Sequence, residues 1–295
     1  MRTLSLRITE ELAGRKVKSL LHYRLHIPEH MIARIKLRET GICLNGVRCR
    51  TTDLTRVGDL LTAEVGDVPA ETGIVPMPMP ELSIAYEDED LLVMEKPAGM
   101  ATHGRALHGD ATVANVLAAY WGTDRAFHPV TRLDRGTSGL MVIAKSGYSH
   151  ELLRRNLHTD GFCREYLAIT TGQLPAEQGI IELPVRKDES AKNRFRTAQD
   201  GLPAKTGYTV LERREEGCLV RARLYTGRTH QIRVHFAAVG CALAGDGVYG
   251  ETSRKIGRPA LHSAFLHLIQ PVTGNVIELN SAMPEDMEAL WKSMK

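Results

Sequence analysis

The stretch Arg132-Leu133-Asp134-Arg135-Gly136-Thr137-Ser138-Gly139-Leu140 sets one carboxylate between two arginines, with four small residues close behind. An apolar run to Ala144 follows, so the segment reads as a loop delivering Asp134 to a sheet edge, its glycines allowing close backbone approach. A carboxylate there serves as nucleophile, base or salt-bridge partner, and taken alone the last reading is the commoner. A second stretch, Thr226-Gly227-Arg228-Thr229-His230-Gln231-Ile232-Arg233-Val234-His235, gathers two arginines and two histidines. The chain has 12 histidines, but none stand in H-E-x-x-H or another metal-ligand pattern, so no metal is expected. A nuclease built on His230 and His235 would want a carboxylate cluster or a second histidine motif, and the sequence offers neither.

The elements that must hold these loops come from 295 residues, enough for two domains. An apolar share of 43% and a charged share of 25% suit a soluble globular chain. No apolar run is long enough for a signal peptide or a membrane span, and a cytoplasmic location is expected. The five cysteines form no C-x-x-C pair and read as small apolar residues in a reducing compartment. The formal net charge of +3 hides an asymmetry. Residues 1–62 hold twelve basic against six acidic side chains (+6), 63–90 hold eight acidic and none basic (−8), and 91–295 hold 26 against 21 (+5). A basic head and a mildly basic body suggest contact with a polyanion.

Residues 1–66 read as a small α/β module. Thr9 is placed to cap a helix that runs on through Val17, Leu20 and Leu21. Pro28 and Glu29 open a second helix with Met31, Ile32 and Ile35 on one stripe and Gly41 at its C′ position. Asn45-Gly46 between two short apolar runs signals a hairpin, and a strand follows over 60–65. Residues 67–80 contain four prolines, an extended connector. The body, 81–295, is expected to be α+β, built on a mixed, largely antiparallel sheet. Strands are predicted at 84–86, 91–94, 139–144, 164–170, 207–211 and 218–224. Helices are predicted after an Asp110 cap, over 149–157 and over 229–239.

Two resemblances give these patterns meaning. Arg34-Ile35-Lys36, Thr40 to Gly46 and Val57-Gly58-Asp59 resemble the S4 RNA-binding module, which presents a basic helical face to RNA. Arg132 to Leu140 resembles the signature loop of the RluA family of pseudouridine synthases, in which the aspartate is essential. Leu92 to Gly99 resembles that family's Lys-Pro-x-Gly turn, Arg164-Glu165-Tyr166 its tyrosine strand, and Thr226 to His235 its arginine motif, with Gly245-Asp246 and Tyr249-Gly250 following. The family's histidine before Arg-Leu-Asp is replaced by Thr131, with His128 three residues earlier.

The resemblance implies an RNA pseudouridine synthase, an isomerase that needs no cofactor because uracil moves from an N1 to a C5 link without exchange of electrons or groups. It implies Asp134, Tyr166 and Arg233 as catalytic residues, the carboxylate either attacking C1′ or removing the C2′ proton. Arg132, Arg135 and Arg228 are the expected phosphate contacts, His230 and Gln231 complete the RNA-facing loop, and Arg34 and Lys36 are the RNA contacts of the head. The expected substrate is large-subunit ribosomal RNA, with transfer RNA second and an inactive S4-type RNA binder third. A monomer is expected.

Overall fold

The computed structural model describes residues 1–68, 72–104, 110–191 and 193–295. In the head, β1 (Arg2–Arg7), α1 (Val17–Tyr23), α2 (Glu29–Ile35), β2 (Ile42–Leu44), β3 (Val47–Arg48) and β4 (Leu60–Val65) form an antiparallel sheet of order β1-β4-β2-β3 with two helices. Asn45 and Gly46 both take positive φ, as the predicted hairpin requires. The single helix predicted from Thr9 is broken. A short 3-10 turn ends at Leu12, Gly14 turns at φ +71°, and the N–H groups of Val17 and Lys18 bond the carbonyls of Asp53 and Thr51. Tertiary bonds thus replace the helical ones there. Gly41 is not the C′ residue of α2 either. It lies at the approach to β2, where a Cβ would come 1.9 Å from the Ile35 carbonyl oxygen. The alternating strand β1 escaped the sequence reading.

The body contains β5 (Ile84–Glu87), β6 (Leu91–Lys96), α3 (Val113–Trp121), β7 (His128–Pro129), β8 (Ser138–Ala144), α4 (Gly147–Asn156), β9 (Phe162–Thr171), β10 (Gln178–Glu182), β11 (Val185–Lys187), β12 (Phe195–Thr197), β13 (Lys205–Arg214), β14 (Gly217–Leu224), α5 (Gln231–Ala238), β15 (Leu261–Ile269), β16 (Val276–Asn280) and α6 (Glu285–Ser293). The main sheet runs β10-β13-β14-β9-β15-β8-β6-β5, with β16 on β15 and β7 on β8. Only the β8–β15 pairing is parallel among the described strands, so the largely antiparallel mixed sheet is as expected. The middle strands β9 and β15 pair across almost their whole length, yet β15, β16 and α6 had gone unread. The connector's described part runs along α3, with Asn115 Nδ2 donating to the Val75 carbonyl at 2.8 Å; residues 69–71 of it lie outside the described residues.

The sheet is covered on both faces, which explains its continuous apolar strands. Leu92 and Met94 of β6 and Met141 and Ile143 of β8 face a core that α3 and α5 close with Val113, Leu117, Ile232 and Phe236. Leu91, Val93, Leu140 and Val142 point the other way, against Leu153 of α4. The cap of α3 is Thr112, in a reciprocal capping box with Asn115, rather than Asp110, which pairs with Arg135. The head's core extends into the body: Tyr148 and Leu152 of α4 pack among its apolar side chains, and Tyr148 Oη donates to the Leu25 carbonyl at 2.9 Å.

Gly139 joins the Asp134 loop to the sheet. Its φ is +104°, and a Cβ there would lie 2.2 Å from the Ser263 carbonyl oxygen. Gly139→Ala therefore combines backbone strain with a clash against immovable main chain, and is expected to destabilise the protein by about 3 kcal/mol or more. A urea midpoint equal to wild type would contradict that account.

Candidate active site

The Asp134 loop leaves β7 and enters β8, and its carbonyls are held from several directions. Thr102 Oγ1 donates to the Leu133 carbonyl at 2.9 Å, the Gly99 N–H to that of Arg135 at 2.7 Å, and Arg258 Nη1 to that of Gly136 at 3.2 Å. Lys96 is almost fully buried at the end of β6, and its Nζ reaches the carbonyls of Pro97 and Met100 at 2.8 Å and of Arg135 at 3.4 Å. Burial pulls this ammonium from an ordinary 10.5 down to about 7, with Asp134 opposing and Arg258 reinforcing the shift. Thr131, which stands where the resembled family has histidine, is buried and accepts from the Val142 N–H at 2.9 Å, so its hydroxyl ties the loop to β8. His128 does not substitute for that histidine: it pairs with Asp67 at 2.7 Å, by the head.

Opposite the loop, α5 presents Arg233 two residues into its first turn. Nε and Nη2 grip Asp246 side-on at 2.7 and 2.8 Å, while Nη1 donates to Asp134 Oδ2 at 3.2 Å. Burial alone would weaken the guanidinium's charge, but Asp246 and then Asp134 outweigh it and raise its pKa. At 3.2 Å and an effective dielectric near 20, the Asp134–Arg233 attraction is about 5 kcal/mol before desolvation. That attraction fixes the carboxylate against the guanidinium. Two carboxylates share one arginine: Asp246, fully buried, takes the two-pronged bond, and Asp134, partly exposed, takes the single one. The ring Nε2 of His230 stands 3.7 Å from Asp134 Oδ2, and its Nδ1 meets Tyr249 Oη at 2.8 Å. Burial pulls this imidazole down against the pull of Asp134. His230 sits at positive φ ahead of α5, a rare conformation for a non-glycine residue that marks a tightly constrained turn.

Asp134, His230 and Arg233 line an open cavity of about 560 Å³. Tyr166 lies in its wall, on the inward face of β9 with Arg164 and Ala168, and burial pushes the phenol's pKa up. Arg132, Arg135 and Arg228 also line the cavity. Arg135 is tied to Asp110, and Arg228 Nε donates to the Pro203 carbonyl at 3.0 Å. Gln231 corrects the expectation of an RNA-facing residue. It is 2% exposed, its Oε1 accepts from Thr226 Oγ1 and the Arg228 N–H, and its Nε2 donates to the Lys205 carbonyl and Thr206 Oγ1. It braces the loop from inside. Arg34 and Lys36 are exposed on the head, outside the cavity. Sequence reasoning assigned no role to Asp246, Lys96 or Arg164. The only hint was that all three stood inside stretches already singled out.

Three comparisons bear on this geometry. The family model described as RNA pseudouridylate synthase matches residues 90–238. A curated relative in Pseudomonas aeruginosa, named ribosomal large subunit pseudouridine synthase D, is 36% identical over 284 residues, covering 90% of this chain and 87% of its own. A Bacillus subtilis relative, named as an uncharacterized RNA pseudouridine synthase, is 34% identical over 266 residues, covering 88% and 87%. Among solved structures, human RNA Pseudouridylate Synthase Domain Containing 1 superposes with a TM-score of 0.57 at 25% identity, over 70% of this chain and 85% of that one.

The buried Lys96 makes a prediction of its own. Between about pH 7 and 10.5 the unfolded chain holds a proton here that the folded chain has released, so this group makes stability rise with pH across that window. Lys96→Met is expected to flatten the rise, read as urea midpoints between pH 7 and 9.5 (~2.5 pH units). An equally steep profile in the variant would show that Lys96 is not its source.

Proposed function

The chain belongs to the RNA pseudouridylate synthase family, and on that premise we propose that it converts uridine to pseudouridine in large-subunit ribosomal RNA with Asp134 as the catalytic carboxylate. The observation that carries this reading is the Asp134 carboxylate, held by Arg233 at 3.2 Å beside Tyr166 in one open cavity. The ribosomal substrate rests on the Pseudomonas relative, which carries that assignment in its name.

The reaction needs what the cavity offers. The N1–C1′ bond breaks, the uracil turns, and a C5–C1′ bond forms; the C5 proton then leaves and N1 gains one, so nothing is added or lost. Asp134 either adds to C1′ or takes the C2′ proton to give a glycal, and both routes begin with an ionised carboxylate. The target nucleotide must leave its stack to enter. Tyr166 then lies against the uracil face, where a phenol that keeps its proton acts as a packing surface while the base turns. Arg132, Arg135 and Arg228 receive the flanking phosphates, and His230 fixes the cavity's rim beside Asp134. On this reading the protein acts as a monomer in the cytoplasm, and the isomerisation calls for no cofactor because it exchanges no electrons or groups.

Residues 1–66 act as an S4-like RNA grip, joined by the connector 67–80 to the catalytic body 81–295. The exposed Arg34 and Lys36 at the end of α2 are its contacts.

Asp134→Asn is expected to abolish pseudouridine formation, a loss of at least about 10⁴-fold, while leaving RNA affinity within about threefold. Chemical mapping of pseudouridine in ribosomal RNA from cells complemented with wild type or variant reads this out. Wild-type levels in the variant would remove Asp134 from the chemistry. The double variant Arg34→Ala, Lys36→Ala is expected to make the slope of log affinity against log salt shallower by about 1 to 2, with turnover of bound RNA unchanged. An unchanged slope would show that α2 does not touch phosphate.

A further inference from the structure

Among the described residues, Arg164 is a buried cation without a counter-ion. It sits on the inward face of β9 and is 6% exposed, in the wall of the Asp134 cavity. Among the described residues, its Nε and Nη2 are the only buried side-chain nitrogens or oxygens without a hydrogen-bond partner. Those two atoms form one edge of the guanidinium, the edge that presents two parallel N–H groups to a pair of oxygens. The same edge of Arg233 is filled by the two oxygens of Asp246. The two arginines thus carry the same fork, one filled from inside the protein and one without a partner, on a side chain in the cavity wall.

The surroundings offer Arg164 no compensation. Its guanidinium stands 5.7 Å from the Phe162 ring, a weak partner for a desolvated charge. The one carboxylate lining the cavity, Asp134, is engaged by Arg233. Arg132, Arg228 and His158 line the same space and add positive charge or none. The imidazole of His158 registers this: burial first, then Arg164 and Arg228, pull its pKa down. Gly227 faces the guanidinium with bare backbone; a Cβ there would stand 3.5 Å from Nη1, so the residue keeps a side chain out of that approach.

Resting on the function proposed above, we infer that the Nε–Nη2 edge of Arg164 seats one phosphodiester of the RNA, next to the uridine that Tyr166 receives. A phosphate brings both the two oxygens that the edge matches and the full negative charge that the buried cation lacks; a uracil carbonyl brings neither. Arg164 and Tyr166 are two residues apart on one strand face, about 7 Å, so a nucleotide whose base lies on the tyrosine carries its backbone within reach of the arginine. Arg164 positions the substrate and takes no part in bond making.

The test uses the full chain and the variants Arg164→Gln and Arg164→Met. Without RNA, removing an uncompensated buried charge is expected to leave the melting temperature in chloride unchanged or raised. A fall of about 5 °C or more in both variants, or failure of both to fold, would make Arg164 a structural residue and overturn the proposal. Replacing chloride by inorganic phosphate at equal ionic strength is expected to raise the wild-type melting temperature more than that of either variant; equal rises would overturn it too. With transcribed large-subunit ribosomal RNA, the variants are expected to raise KM roughly 30-fold or more at little-changed kcat, and to make the salt slope of kcat/KM shallower by about 0.7. A fall in kcat with an unchanged slope would assign Arg164 to the base instead. Absence of wild-type turnover on that RNA would sink the proposed function, while the two melting measurements, made without RNA, still decide what Arg164 binds.

Discussion

Arg233 is a buried cation shared between two carboxylates of unequal depth. Asp246, out of solvent, takes the two-pronged bond; Asp134, partly exposed, takes a single one. The inequality is what makes the arrangement useful. Had both carboxylates been held equally, Asp134 would be a neutralised structural residue. Had Asp246 been absent, the guanidinium would be free to close on Asp134 with its fork and quench it. The loop carbonyls held by Thr102, Arg258 and Lys96, and the constrained turn at His230, hold this geometry from several sides. Such bracing is what preorganised catalysis asks of its supporting residues.

The sheet supplies the rigid frame. Strands β6 and β8 are buried on both faces, so a residue displaced at the Asp134 loop would have to move strands that are packed above and below. The single parallel pairing, β8 on β15, brings Gly139 against Ser263 at the point where the loop becomes strand. That close approach ties the loop's exit to the strand pairing of greatest sequence separation among the described strands. The active cavity therefore opens where the sheet is least able to deform.

Much of this was legible in the chain. Asp134 and Arg233 stand in a loop and an arginine stretch that resemble parts of one family, and the helix that aims Arg233 follows from local periodicity. The elements that escaped depend on distant partners. β15 is broken in pattern by His262, Ser263 and His267, and its neighbours β8 and β9 lie about a hundred residues upstream, so no local window contains its reason for being a strand. The break after Leu12 is likewise set by carbonyls of Thr51 and Asp53. Gln231 looked like a polar loop residue facing RNA, and only its four internal partners reveal a brace. Arg164 drew no attention because an arginine in an alternating strand is normally solvated; its meaning lies in what does not surround it.

The head's core does not end at the head. Tyr148 and Leu152, which belong to a helix of the body, complete it. A module of about this size buries too little surface to be strongly stable alone, so borrowing two large side chains ties its folding to its docking. The proline-rich connector then has little to do as a leash, since the orientation of the two parts is fixed by shared packing and not by chain length. RNA gripped at Arg34 and Lys36 would be delivered to the cavity at one distance and one angle. The protein would act as a caliper, choosing among uridines by how far each lies from the gripped segment as well as by the bases around it.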